Sequence, residues 1–366
     1  MKIVQILPEL NEGGVERGTV ELSREFIKNG LQSIVISNGG KLVNQIENEG
    51  GKHFKFDVCS KNIFTVPFRI WGLRKLIKEI NPDIVHVRSR VPAWLVYFAN
   101  KTLKLPFVTT VHGLNSVNKY SEVMTKGDEV ICVSEVVKDY VVNNYNLNPN
   151  KFTVIQRGVD LNKFNPKNVD NEFINNFKKD FNLEGKYIIT SVGRVTWLKD
   201  YETFIKSIAI VKKEIPNVVG LVVGGIREDK EEYAKSLKDL AKSLNVEENI
   251  IFTGSQKNIS EVYFLSDIVV NASLKMGNVG RTVVEALALN TPVIATTYEG
   301  LKNIVEDDVN GAIIETKNEK QLAEKIIKVK SQNFTDIIKT IPKEYTLDTM
   351  VKDTISVYKR VLKGNK

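Results

Sequence analysis

The sequence predicts an α/β chain built as two doubly wound, Rossmann-like domains. Three observations carry this: short apolar runs alternate with amphipathic helical stretches along most of the 366 residues, the alternation pauses once in a polar segment, and each half opens with a strand, a glycine-bearing loop and a helix. Strands that read as unbroken Val/Ile runs belong to parallel sheets covered on both faces, because their helical crossovers shield both sides.

In the first half the order is KIVQIL, a helix near 15–29, QSIVIS, a helix near 41–49, HFKFDV, a helix over 66–80, DIVHV, a helix over 91–103, PFVTTVH and EVICVS. Residues 160–186 are then polar and rich in Asn and Lys, which suits an interdomain connection with a short helix. Alternation resumes with YIITSVG, helix 200–213, VVGLVVGG, helix 229–244, NIIFTG, helix 257–265, DIVVNAS, helix 281–289 and PVIATT, with helices from there to the end. No fixed period recurs, so this is not a repeat array. Open α/β sheets bind ligands beyond the carboxyl ends of their strands, so the two domains are expected to face a central cleft lined by the glycine loops.

An apolar content of 42% over this length supplies two cores of ordinary size. No apolar run is long enough to span a bilayer, and the N-terminus enters a strand without a charged and then apolar leader, so a cytoplasmic location is expected. Cys59 and Cys132 are far apart in strand-like contexts and are read as core residues, not as a disulfide or a zinc site. The three histidines lack local metal-site spacing and no D-x-D triplet occurs, so no metal is expected. The net charge of +8 suits phosphate-bearing ligands, an anionic membrane surface or nucleic acid. Dispersed lysines without interleaved aromatics make nucleic acid the least favoured.

Several stretches carry chemistry. Gly13 and Gly14, in PELNEGGVERG, precede a helix and either form a tight turn or let backbone amides approach an anion at the helix N-terminus. They do not make G-x-G-x-x-G, and the acid expected for a dinucleotide ribose is absent from VISNGG. Arg194 and Lys199 share the first loop of the second half, where a guanidinium fork and a point charge suit a diphosphate; surface placement is the alternative. His112 closes a strand before Gly113, a position open to hydrogen bonding, general-acid or purely structural use, while His53 and His86 read as packed or partly exposed. Glu285 sits in the apolar run VVEALAL and needs a partner: the helix dipole, or a ligand. The helix over 66–80 lines up Ile70, Leu73, Ile77 and Ile80, with Arg69, Arg74, Lys75 and Lys78 elsewhere; it covers a sheet, and its basic side would suit anionic lipid.

In this order the pieces resemble glycosyltransferase family 4, retaining sugar-nucleotide-dependent transferases of the GT-B fold. The resemblance runs from Gly13 and Gly14 through DIVHVRSR, His112, the V-S-E of Val133 to Glu135, VIQRGVDLNKF at 154–164 and the G-R-x4-K of Gly193, Arg194 and Lys199 to the helix with Gly280 and Glu285. LPELNEGGVERGTVEL and HVRSRVPAW look especially like transferases of lipopolysaccharide-core or related envelope-glycan synthesis. The resemblance implies domains at 1–165 and 166–344, with 345–366 packing back on the first.

It also implies metal-free transfer of a hexose from a UDP- or GDP-sugar to a hydroxyl of a glycolipid or oligosaccharide. Retention is then explained by same-face attack, the departing phosphate helping to remove the acceptor proton. Arg194 and Lys199 fall on the family's phosphate pair, Gly13 and Gly14 on its glycine loop, and His112 on its histidine near the donor sugar. Glu285 falls on the acid that grips the ribose hydroxyls, so its partner is expected to be a ribose and not a core cation. The base is expected near Thr253, Gly254 and Ser255, and the backbone of the loop from Gly277 through Asn278 and Val279 to Gly280 beside phosphate or sugar oxygens.

Two positions depart from the family pattern: Gly277 stands where a further acid holds the donor sugar, and Asp200 where a glycine follows the lysine. Asp200 either weakens the field of Lys199 or caps the next helix. The departure at Gly277 keeps a sugar-nucleotide-binding protein without turnover as an alternative, and a nonhydrolysing sugar-nucleotide epimerase has the same architecture. Nothing in the sequence sets the oligomeric state.

Overall fold

A computed structural model describes residues 1–11, 13–274, 280–297, 301 and 303–364. The chain forms two compact units, Met1–Gly158 with Leu347–Lys366, and Val159–Thr346. The expected boundary at 165/166 moves forward to 158/159 because Val159 and Phe164 are buried in the second unit's core. Tyr345 stays in that core as well, and its carbonyl accepts from Val159 N–H at 2.8 Å, so the second unit's entry and exit are tied together.

The first unit holds seven parallel strands: β1 (Lys2–Ile6), β2 (Gln32–Ser37), β3 (Lys52–Lys55), β4 (Ile84–Val87), β5 (Phe107–Val111), β6 (Glu129–Cys132) and β7 (Phe152–Val154). Their order is β3-β2-β1-β4-β5-β6-β7, so the direction of winding reverses between β1 and β4. Successive strand residues point to opposite faces. Val4, Ile6, Val85 and Val87 therefore pack in one apolar cluster with the helices Val66–Ile80 and Arg90–Leu103. Ile3, Ile84 and Val108 pack in another with Phe26 and with Val357, Tyr358 and Val361 of the returning helix Leu347–Gly364. That helix is held in the first unit, as the fold class implies.

The second unit holds β8 (Tyr187–Val192), β9 (Val218–Val223), β10 (Ile250–Gly254), β11 (Ile268–Asn271), β12 (Val293–Thr296) and β13 (Gly311–Ile314), all parallel. The order β10-β9-β8-β11-β12-β13 places its reversal between β8 and β11. The same alternation buries Val219, Leu221 and Val223 on one side and Val218 and Val222 on the other.

The helices Lys119–Glu122 and Glu135–Tyr145 and the strands β7 and β13 fall outside the predicted alternation. The two strands are too short to declare themselves locally and exist by pairing, β7 with β6 and β13 with β12. Conversely, HFKFDV yields only the mostly exposed edge strand β3. Cys132 is buried as expected, whereas Cys59 is only partly covered. Among the described residues no helix is long and apolar enough to cross a membrane.

Candidate functional site

In the second unit the expected phosphate residues gather at the point where the strand order reverses. Past β8, Gly193 leads into Arg194 and a single turn, Trp197–Lys199. Lys199 folds back over that turn: a Cβ on Gly193 would stand 2.5 Å from Lys199 Cε, so glycine gives the lysine its place. Lys199 Nζ donates to Ser273 Oγ at 3.4 Å, Ser273 Oγ donates to Asn271 Oδ1 at 2.7 Å, and Asn271 Nδ2 donates to Thr282 Oγ1 at 3.1 Å. Thr282 lies in the first turn of the helix Arg281–Ala288, whose N-cap is Gly280. One polar chain thus joins the ends of β8 and β11 to a helix N-terminus. Burial, and then the charge of Arg194, hold the Lys199 ammonium below the usual lysine range. Two cations thus stand together at this spot, which suits an anion. Arg194 itself is exposed beside it.

Asp200 takes the capping role. Its side chain accepts from Thr203 N–H at 3.4 Å ahead of the helix Tyr201–Val211, and its backbone is left-handed at φ 51°. Glycine enters that conformation most readily and Asp tolerates it. Burial raises the Asp200 carboxyl, and Lys317 is the cation that offsets this in part.

Gly254 and Ser255 come to the same strand ends through a glycine pair not singled out in the sequence. A Cβ on Gly224 would stand 1.9 Å from Gly193 O, and one on Gly225 2.7 Å from Ser255 Oγ, while Gly224 N–H donates to Gly254 O at 2.9 Å. The signal was present in VVGLVVGG: paired glycines closing a strand, as at Gly13 and Gly14.

Glu285 is buried with both oxygens engaged: the Tyr263 hydroxyl donates to Oε2 at 3.1 Å and Arg281 Nε to Oε1 at 3.2 Å. This corrects two expectations. Glu285 stands beyond the first turn of its helix, which contains no acid, so it does not answer the dipole there; and it does have a cationic protein partner. Arg281 and Tyr263 were missed because a pairing of this kind depends on which side chains are enclosed. Gly277, Asn278 and Val279 lie outside the described residues.

The first unit has its own cationic group where its strand order reverses. Gly13 precedes the helix Gly14–Lys28, and a Cβ on Gly14 would stand 2.7 Å from Arg157 Nη1, so the glycine pair makes room for a guanidinium. Arg157 Nη2 donates to His112 Nδ1 at 3.1 Å. An arginine only donates, so the neutral ring carries its proton on Nε2. Burial, then Arg157, Arg88 and His86, push His112 well below the usual histidine range. His112 is therefore a hydrogen-bond donor at neutral pH and not a charged acid. Arg88, from HVRSR, is buried beneath, donates from Nη1 to Gln5 Oε1 at 3.1 Å, and is lowered to about 10 by burial. His86 is packed between Tyr358 and Thr110, each at 2.6 Å, and His53 meets Ser37 Oγ at 2.8 Å.

Each unit is thus a parallel sheet whose order reverses once, with glycines and cations at that point, as in proteins that bind phosphorylated ligands. A family model described as glycosyl transferases group 1 matches residues 173–342, and one described as glycosyltransferase family 4 matches residues 12–163. The crystal structure of a glycosyltransferase from Rickettsia africae is similar at 31% identity with a TM-score of 0.89, covering 99% of this chain and 98% of that one. Anabaena HepE, solved with UDP-glucose, is similar in fold at 17% identity and a TM-score of 0.83, over 98% and 100% of the two chains. The alpha-monoglucosyldiacylglycerol synthase of Streptococcus pneumoniae is 26% identical over 79% of this chain and 74% of its own length. The chain belongs to these glycosyltransferases, enzymes of the GT-B fold.

Proposed function

We propose that this glycosyltransferase moves a hexose, with retention and without a metal, from a UDP- or GDP-sugar to a hydroxyl of a glycolipid or oligosaccharide acceptor of the envelope-glycan class, lipopolysaccharide core included. The observation that carries the donor half is the half-buried Lys199 ammonium, which donates to the neutral Ser273 hydroxyl and is linked through Asn271 to the helix that Gly280 opens. A leaving diphosphate gains charge as the glycosidic bond breaks. A fixed ammonium, a nearby guanidinium and a helix N-terminus stabilise that charge without reorganising. The UDP-glucose complex of HepE favours a nucleotide-sugar donor, and the glycolipid in the name of the streptococcal relative favours a lipid-linked acceptor.

In this reading Arg194 and Lys199 hold the diphosphate, Gly254 and Ser255 border the base, and Glu285 meets the ribose. The loop from Gly277 to Gly280 contacts the phosphate or sugar. Gly13, Gly14 and His112, in the first unit, are the remaining donor residues of this reading. The test is incubation of the full chain with a panel of UDP- and GDP-hexoses and glycolipid acceptors, with product stereochemistry read by NMR. Transfer with retained configuration is the expected result. Nucleotide binding without transfer from any donor to any acceptor would overturn the reading.

A further inference from the structure

The helix Val66–Ile80 carries an apolar ridge that no part of the transfer chemistry uses. Ile63 is 73% exposed, Phe64 83%, Phe68 77% and Trp71 60%, far beyond the scattered partial exposure normal for a surface. Side chains this open stand out of the surface and do not line a groove. On the helix, positions 68, 71, 75 and 78 fall on one stripe, so the aromatic half of the ridge runs directly into exposed Lys75 and Lys78; Phe64, in the turn before the helix, and Lys61 are exposed ahead of it. Glu79 is the exposed acid at the far end, 3.9 Å from Lys75.

The ridge stands on a built platform. Arg69, expected among the outward cations, is buried and donates from Nε to Thr65 Oγ1 and from Nη2 to Asn62 O, each at 3.0 Å. Asn62 Oδ1 accepts from Phe64 N–H at 3.0 Å. These bonds fix the turn Ile63–Thr65 against the helix and hold Ile63 and Phe64 outward.

We infer that this ridge is the enzyme's contact with an anionic lipid bilayer surface, Phe64, Phe68 and Trp71 entering the headgroup boundary while Lys61, Lys75 and Lys78 meet lipid phosphates. Aromatics beside lysines of one sign match an interface that is apolar below and negative above, and the chain's charge of +8 points the same way. The inference deepens the glycolipid-acceptor reading and rests on it for its purpose, since an acceptor embedded in a bilayer is reached only by an enzyme held at that bilayer.

The experiment is co-sedimentation of the full chain with vesicles of phosphatidylcholine alone and of equal parts phosphatidylcholine and phosphatidylglycerol, with UDP and GDP binding followed in parallel by thermal shift. The wild type is expected in the pellet with the anionic vesicles, with Trp71 fluorescence quenched by brominated lipid. Replacing Phe64→Ser, Phe68→Ser and Trp71→Ser together should lower the partition coefficient about tenfold or more. Replacing Lys61→Ala, Lys75→Ala and Lys78→Ala should lower it roughly tenfold to a hundredfold and remove its salt dependence. Equal partitioning of the serine variant, or no sedimentation of a nucleotide-binding wild type, would overturn the inference. A dimer in sedimentation velocity that the serine variant abolishes, without vesicle binding, would assign the ridge to a second copy and overturn it too. Vesicle binding without UDP or GDP binding would sink the donor reading and leave the ridge standing.

Discussion

Arg281 and Glu285, one helical turn apart, form an ion pair at 3.2 Å with side chains only 11% and 6% exposed. With Tyr263 on the other oxygen, the acid proposed to meet the ribose is also a structural acceptor. Glu285→Gln is expected to weaken UDP or GDP binding and also to cost about 1–3 kcal/mol of stability, because the Arg281 guanidinium loses its charged partner in an enclosed site. Calorimetric titration and urea denaturation measure the two effects. An unaltered stability would show that Arg281 gains nothing from the carboxylate.

Lys199 should behave oppositely. Burial and the neighbouring Arg194 both disfavour its charge, so Lys199→Met is expected to leave stability unchanged or higher while lowering nucleotide-diphosphate affinity about tenfold or more. Gly193→Ala should reproduce much of that loss, since its Cβ would take the place of Lys199 Cε. The double variant should lose little beyond either single one, because both act through one ammonium. Additive losses would mean that the glycine does not act by positioning the lysine.

Acid should destabilise the fold in a defined window. His86 and His112 are both pushed well below the usual histidine range by burial, so the unfolded chain binds their protons first. Stability they contribute is present above about pH 6.5 and is lost as pH falls below it, by up to about 1.4 kcal/mol per histidine per pH unit. Stability in urea denaturation should therefore be lower at pH 5.5 than at pH 7.5, by up to about 3 kcal/mol. A flat profile would show that the native state takes up the protons.

Tyr358→Phe tests the returning helix. It removes the hydroxyl 2.6 Å from His86 Nδ1 and leaves a buried ring nitrogen unpaired. A loss of about 1–3 kcal/mol is expected, with earlier proteolysis of Leu347–Gly364. Equal protease resistance would show that apolar packing alone holds that helix.

Much of this was legible in the sequence for a physical reason. Val/Ile runs such as IVHV and VVGLVV become parallel strands because both their faces are covered, and that requirement is written into each run. Glycines closing a strand before a helix marked Gly13, Gly14 and Gly193 because those backbones admit no Cβ without displacing a neighbour. The ridge was half visible: periodicity found the buried stripe of Val66–Ile80, but the aromatics at 64, 68 and 71 and the inward turn of Arg69 depend on what the helix packs against.

The sequence by itself determined the alternation of elements, the pause between two domains and the order of the glycine and cation motifs, since each is encoded within one helix or strand. Only the tertiary structure decided which charges are enclosed and with what: Lys199 on Ser273 across a strand-order reversal, Arg157 on His112, Arg281 on Glu285, and Tyr358 on a histidine 272 residues away. Even where two partners share a helix, as Arg281 and Glu285 do, their pairing becomes strong only when neighbours elsewhere in the chain exclude water from it, and no local pattern records that exclusion.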